Sequence, residues 1–168
     1  MTAWHTLAHH AAPPPEDWHA RLCARLGQRP RRLGGWAELA IYGARSCLDQ
    51  AGETTLPPGA LLLVASLRGP VAATRAGIEQ MNQGGTPMPF SFLQSQPGQM
   101  LAGVCQHLRW RGDARFVLSR DAHAVLNLAQ REASTAGLLL GWVDEGASLR
   151  SEWWRMVPAL SSSAPRGG

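Results

Sequence analysis

Two short runs of unbroken apolar residues, Ala60–Ala65 and Leu138–Val143, limit this chain more than any other feature of its sequence. Each is about six residues long, too short for a membrane helix, which needs roughly 20. Neither alternates with polar residues as a strand with one wet face does, so each reads as a strand covered on both faces. Strands of that kind occur where helices pack on both sides of a sheet, and the segments between them have helical spacing. Glu16–Leu26 opens after Pro15, with acidic Glu16 and Asp17 in the first turn. Gly35–Gln50 has one apolar face rich in small residues, which implies close packing, and ends at Ala51-Gly52. Gly69-Pro70 opens a helix reaching Asn82, Gly84–Phe92 is expected to be a loop, and a helix follows from Ser95 or Pro97 to Leu108. Trp110–Asp113 makes a turn into a short strand, Arg115–Ser119. Ala122–Ala136 is helical, Thr2–Ala8 and Leu149–Leu160 are the outer strand candidates, and Ser161–Gly168 reads as a frayed tail. The expected fold is α/β layered, with a mixed, mostly parallel sheet and helices on both faces, in one domain over residues 1–160.

Composition removes several function classes. All 16 basic residues are Arg, and the absence of Lys excludes Schiff-base, P-loop and Ser–Lys chemistry within this chain. Cys23, Cys47 and Cys105 are odd in number and lack paired spacing, so neither a disulfide framework nor a zinc site is expected. His5, His9 and His10 have no carboxylate or Cys at ligand spacing and read as solvent-facing; no metal or cofactor is expected. The start carries no basic n-region or cleavage pattern, and a cytoplasmic location is expected. The net charge of +4 and the groups Arg29/Arg31/Arg32 and Arg109/Arg111/Arg115/Arg120 allow a nucleic-acid-binding reading. No recognised nucleic-acid motif accompanies them, so nucleic acid is not the expected partner. Trp153 and Trp154 point to opposite faces if they lie in a strand, leaving one of them available to a partner.

The order of motifs carries a resemblance. Arg111-Gly112, the strand Phe116-Val117-Leu118, the turn at Ser119-Arg120-Asp121, a helix and the strand Gly141-Trp142-Val143 resemble the nucleophile region of the β-ketoacyl synthases, which have the thiolase fold. Met100-Leu101-Ala102-Gly103 is similar to an upstream helix of that family, and Ser66–Pro70 to its earlier strand-to-helix junction. Gly69–Arg75 with Pro87–Phe92 looks like the short synthase-like proteins of aryl-polyene and xanthomonadin-type clusters. The resemblance spans about residues 15 to 145.

Two departures accompany it. Asp121 stands where the family has its cysteine nucleophile, and an aspartate cannot form the acyl thioester. The second half of the family's length, with its two histidines and lysine, has no counterpart here. The resemblance therefore implies a non-catalytic, chain-length-factor-like subunit that pairs with a complete β-ketoacyl synthase and meets an acyl carrier protein indirectly, with no membrane partner. Its implied interface is Arg115, Phe116, Val117, Leu118 and Ser119, and its implied tunnel-shaping residues are Phe92, Gln96, Gln99 and Met100. For Phe92 and Met100, ordinary core packing is the competing reading. Asp121 reads on its own as an anionic helix N-cap, and Cys105 as a buried, inert thiol. Part of a split ketosynthase or acyltransferase with residual activity, Asp121 acting as a carboxylate nucleophile or base, and a basic nucleic-acid-binding module are the alternatives.

Overall fold

The run beginning near residue 60 lies inside a five-stranded sheet. The computed structural model describes residues 3–159 apart from 12, 31 and 87. Its strands are β1 (Trp4–His10), β2 (Leu61–Ser66), β3 (Ala114–Leu118), β4 (Leu138–Asp144) and β5 (Arg150–Pro158). Its helices are α1 (Trp18–Leu26), α2 (Gly35–Gln50), α3 (Val71–Asn82), α4 (Pro89–Gln94), α5 (Pro97–Leu108) and α6 (Ala122–Glu132). The strand order is β1-β5-β4-β2-β3. β2 pairs in parallel with β3 and β4, whereas β5 runs antiparallel to β4 and β1. Every residue of β2 is buried, and β4 is buried up to Asp144. Strands on both sides and helices on both faces explain why these two segments are uniformly apolar.

One face carries α2, α5 and α1. Leu39, Ile41 and Leu48 of α2, Met100 and Val104 of α5, and Leu62 and Val64 of β2 share a core with Trp153. On the opposite face Val125 and Ala129 of α6 cover Leu61, Leu63, Leu138, Leu140 and Trp142. The close packing expected of α2 centres on one indole. A Cβ added to Gly43 would stand 2.4 Å from the Trp153 ring, and one added to Gly141 would stand 2.6 Å from it. The ring thus lies against two backbones that can approach only as glycine. Its Nε1 donates to Ser151 Oγ at 3.0 Å, and that hydroxyl donates to the carbonyl of Leu39 at 2.9 Å.

A buried charge ties the turn after α2 to the sheet. Arg155, 1 % exposed, donates to both carboxylate oxygens of Glu53, at 2.6 and 3.0 Å, and to the carbonyls of Leu138, Met156 and Ala136. Full hydrogen bonding is what makes a buried guanidinium tolerable.

Several boundaries differ from expectation. The stretch expected as a loop over Gly84–Phe92 contains the start of α4: Pro89 sits in its first turn, where a missing N–H costs nothing, and no α4 residue is buried, so no core-facing period marks it. The helix expected to reach Ala136 stops at Glu132, because Ala133 is extended and the Ser134 hydroxyl donates to the carbonyl of Gly59. β1 covers Trp4–His10 rather than Thr2–Ala8, and Thr2 lies outside the described residues, as do Leu160 and the tail from Ser161. His5 and His9 are exposed, as expected, whereas His10 is half-buried. His9 meets Glu152 at 2.9 Å and stacks on the half-buried Trp154, while His10 packs edge-on against Tyr42.

Candidate functional site

Among the described residues β3 is the edge strand of the sheet, bonded only to β2. Its side chains divide by parity, as a strand requires. Phe116 turns inward and meets Trp36 edge-on with ring centres 5.6 Å apart. Val117 packs with the α6-side core, and Leu118 is 60 % exposed. Arg115 is held by Asp113 and Glu132, with contacts of 2.6 and 3.1 Å. Hydrogen bonding to Arg115 lowers the Asp113 pKa and raises that of the guanidinium. Ser119 falls just past the strand, where its N–H donates to the carbonyl of Ser66.

Asp121 is the N-cap of α6. One carboxylate oxygen accepts the N–H groups of His123 and Ala124 at 2.9 and 3.1 Å, while the Asp121 N–H donates to Ser119 Oγ. That is the local geometry of an Asp at a helix start, with first-turn donors satisfied. His123 turns its Nδ1 to Asn127 at 2.8 Å rather than to Asp121.

Beside the β3 edge lies the α3–α4 pair. No residue of either helix is buried, although they carry Ile78, Met81, Phe90, Phe92 and Leu93, all exposed. A shallow cavity of about 240 Å³ opens between them, lined by Ala73, Ile78, Met81 and Phe92 among others. At the β2–α3 junction, where α3 begins, a Cβ on Gly69 would stand 3.6 Å from Leu118 of β3. Glu145 caps α3 from a distance by accepting the N–H of Ala72 at 2.9 Å. Burial raises its pKa against that hydrogen bond. Asp144 accepts from Ser66 Oγ, the Leu67 N–H and Trp142 Nε1, fixing the carboxyl ends of β2 and β4.

The four residues matched to a tunnel do not form one group. Phe92, Gln96 and Gln99 are exposed, whereas Met100 is 1 % exposed and belongs to the chain's own core. Of the apolar residues of α3 and α4, sequence reading singled out Phe92 and missed Ile78, Met81, Phe90 and Leu93. Their signal is large apolar side chains in a stretch with no core-facing period.

The arginine groups are dispersed. Arg115 is neutralised by two carboxylates, Arg109 caps α5 in a left-handed conformation, and Arg32 lies over the Phe90 ring at 5.9 Å. Arg31 is outside the described residues. Arg21, Arg25, Arg45, Arg150 and Arg155 also face carboxylates. Cys105 is half-buried rather than buried, and burial raises its thiol pKa. Among the described residues no group of three side chains could hold a metal ion, and no helix is long and apolar enough to cross a membrane.

No family model matches the sequence, and neither does any curated protein. Solved structures do match. A ketosynthase in complex with its chain length factor from Xenorhabdus doucetiae aligns at a TM-score of 0.61 and 14 % identity, over 94 % of this chain and 78 % of that one. The ishigamide ketosynthase/chain length factor aligns at 0.64 and 14 % identity, over 86 % of this chain and 49 % of that one. A beta-ketoacyl synthase from Burkholderia phymatum STM815 aligns at 0.61 and 14 % identity, over 88 % of this chain and 46 % of that one. The chain therefore has the fold of thiolase-type ketosynthases, and it spans about half the length of the last two.

Proposed function

We propose that this chain is a ketosynthase-like subunit without acyl-transfer chemistry of its own, chain-length-factor-like in role, that pairs with a complete β-ketoacyl synthase. The observation that carries the reading is the open edge of β3 beside the exposed apolar surface of α3 and α4. A bare strand edge invites pairing with another chain, and an uncovered apolar patch is the usual mark of a protein partner. Arg115–Ser119 form the paired segment, with Leu118 at its centre of contact. Phe92, Gln96 and Gln99 face the partner and bear on its acyl tunnel, while Met100 supports them from the core. The pathway class is fatty-acid or polyketide-type synthesis of the aryl-polyene kind, with the carrier protein bound by the synthase. Asp121 supports the non-catalytic part, since it serves as a cap and cannot carry a thioester.

The test is co-expression with a full-length ketosynthase encoded beside this chain. A complex that co-purifies, and in which Asp121→Ala leaves product formation intact, is the expected result. A chain that stays monomeric and never co-purifies overturns the pairing, and loss of product in an assembled Asp121→Ala complex overturns the non-catalytic reading.

A further inference from the structure

Away from β3, three ionisable side chains on α1 and α2 form a relay that the proposed pairing does not use. Cys23 and His19 are one helical turn apart on α1, with Cys23 Sγ 4.0 Å from His19 Nδ1. The other ring nitrogen, Nε2, lies 2.7 Å from Oε2 of Glu38 in the first turn of α2. Glu38 is 4 % exposed, and Arg29 stands 3.9 Å from its second oxygen. In the tautomer that lets a Glu38 carboxylate accept from the ring, the imidazole proton sits on Nε2. Nδ1 is left as a lone pair turned to the thiol. This is the order of groups that activates a cysteine: nucleophile, base and a buried carboxylate that orients the base. The other thiols lack it. Burial pushes the Cys47 thiol up to about 11, and Cys105 is also raised by burial. Cys23 is half-exposed.

We propose that Cys23 is a base-activated thiol and a site of exchange with low-molecular-weight disulfides, with His19 as its base and Glu38 as the positioning residue. His19 Nδ1 takes the thiol proton, and the Cys23 thiolate attacks one sulfur of the disulfide. The Cys23 S–S bond forms as the original S–S bond breaks. The leaving thiolate recovers the proton from His19, so Cys23 is oxidised and one sulfur of the reagent reduced. The charged groups facing the pair are Glu38 from α2 and Arg29 from the segment after α1; Asp17 and Arg21 pair with each other on α1.

The full chain is incubated with oxidised glutathione, quenched with acid and mapped by peptide mass, across pH 5.5 to 9. Cys23 should form the mixed disulfide roughly tenfold faster than Cys105, with Cys47 slowest. A lower thiol pKa raises the thiolate fraction but weakens the nucleophile, so His19→Gln should slow Cys23 by roughly three- to tenfold at pH 7 and move its rate profile to higher pH. Glu38→Gln should move the profile the same way and Glu38→Asp should restore part of it, which a purely structural role for Glu38 does not predict. Equal rates at Cys23 and Cys105, or an unchanged profile in His19→Gln, overturn the proposal. His19 is surface-accessible, so that variant keeps the test valid even if a Glu38 variant fails to fold.

Discussion

Replacing Leu118 by Pro separates the edge of β3 from the fold that carries it. Leu62 N–H donates to the carbonyl of Asp113, and Ser119 N–H donates to that of Ser66. In a parallel ladder these bonds alternate along the strand, so residues 113, 115, 117 and 119 face β2 while 114, 116 and 118 face the open edge. A proline at 118 removes an N–H that no bond inside the chain uses, and edge strands accept proline at such positions. The isolated chain should therefore keep its urea midpoint. A pairing strand, in contrast, loses one hydrogen bond, about 1 kcal/mol. It also loses the packing of a side chain that is 60 % exposed in the free chain, about 1–2 kcal/mol of burial. The sum, about 2–3 kcal/mol, corresponds to roughly 30- to 150-fold weaker association. Titration of the ketosynthase partner by calorimetry reads this directly. Leu118→Ala, which keeps the N–H, should lose only the packing part. A folded Leu118→Pro chain that binds with unchanged affinity refutes β3 as the contact.

Asp121→Ala removes the α6 cap and should cost about 1 kcal/mol, lowering the melting temperature by roughly 2–4 °C; Asp121→Asn should retain most of it, as differential scanning fluorimetry can show. Gly141→Ala drives a methyl into the Trp153 indole and should cost about 1–3 kcal/mol in urea unfolding, with a red shift of tryptophan emission if the ring is displaced. Burial first, and then the neighbouring His9, lower the His10 pKa below the ordinary imidazole value of 6.5; burial lowers that of His107 as well. Each contributes stability that is complete above 6.5 and is lost as pH falls through the lowered value, because the unfolded chain then binds more protons. Urea midpoints should drop between pH 7.5 and 5.5, and less steeply in the His10→Gln, His107→Gln double variant.

The interior of the sheet was readable because burial on two faces leaves no room for polar alternation, as in Leu61–Ala65 and Leu138–Val143. The N-cap at Asp121 was readable for the opposite reason: capping is settled by residues two and three positions away. Features set by distant residues were not. Nothing near Arg155 announces Glu53, 102 residues away, and nothing near His19 and Cys23 announces that Glu38 will face them from another helix. α4 escaped because a six-residue helix with no buried side chain leaves no period in the sequence. The partner of the exposed His9 was not legible from local spacing, since its carboxylate, Glu152, belongs to β5.

The pairing of β1 with β5 also bears on how the chain is made. His9 and Glu152 are 143 residues apart, so β1 emerges from the ribosome long before the strand it needs. Until β5 arrives, β4 also lacks its antiparallel neighbour, and Trp153 has not yet closed the space against Gly43 and Gly141. Such late, long-range closure slows folding and leaves apolar edges uncovered during synthesis. A partner or chaperone that meets the nascent chain before residue 150 has been added would therefore find apolar surface that the finished sheet covers.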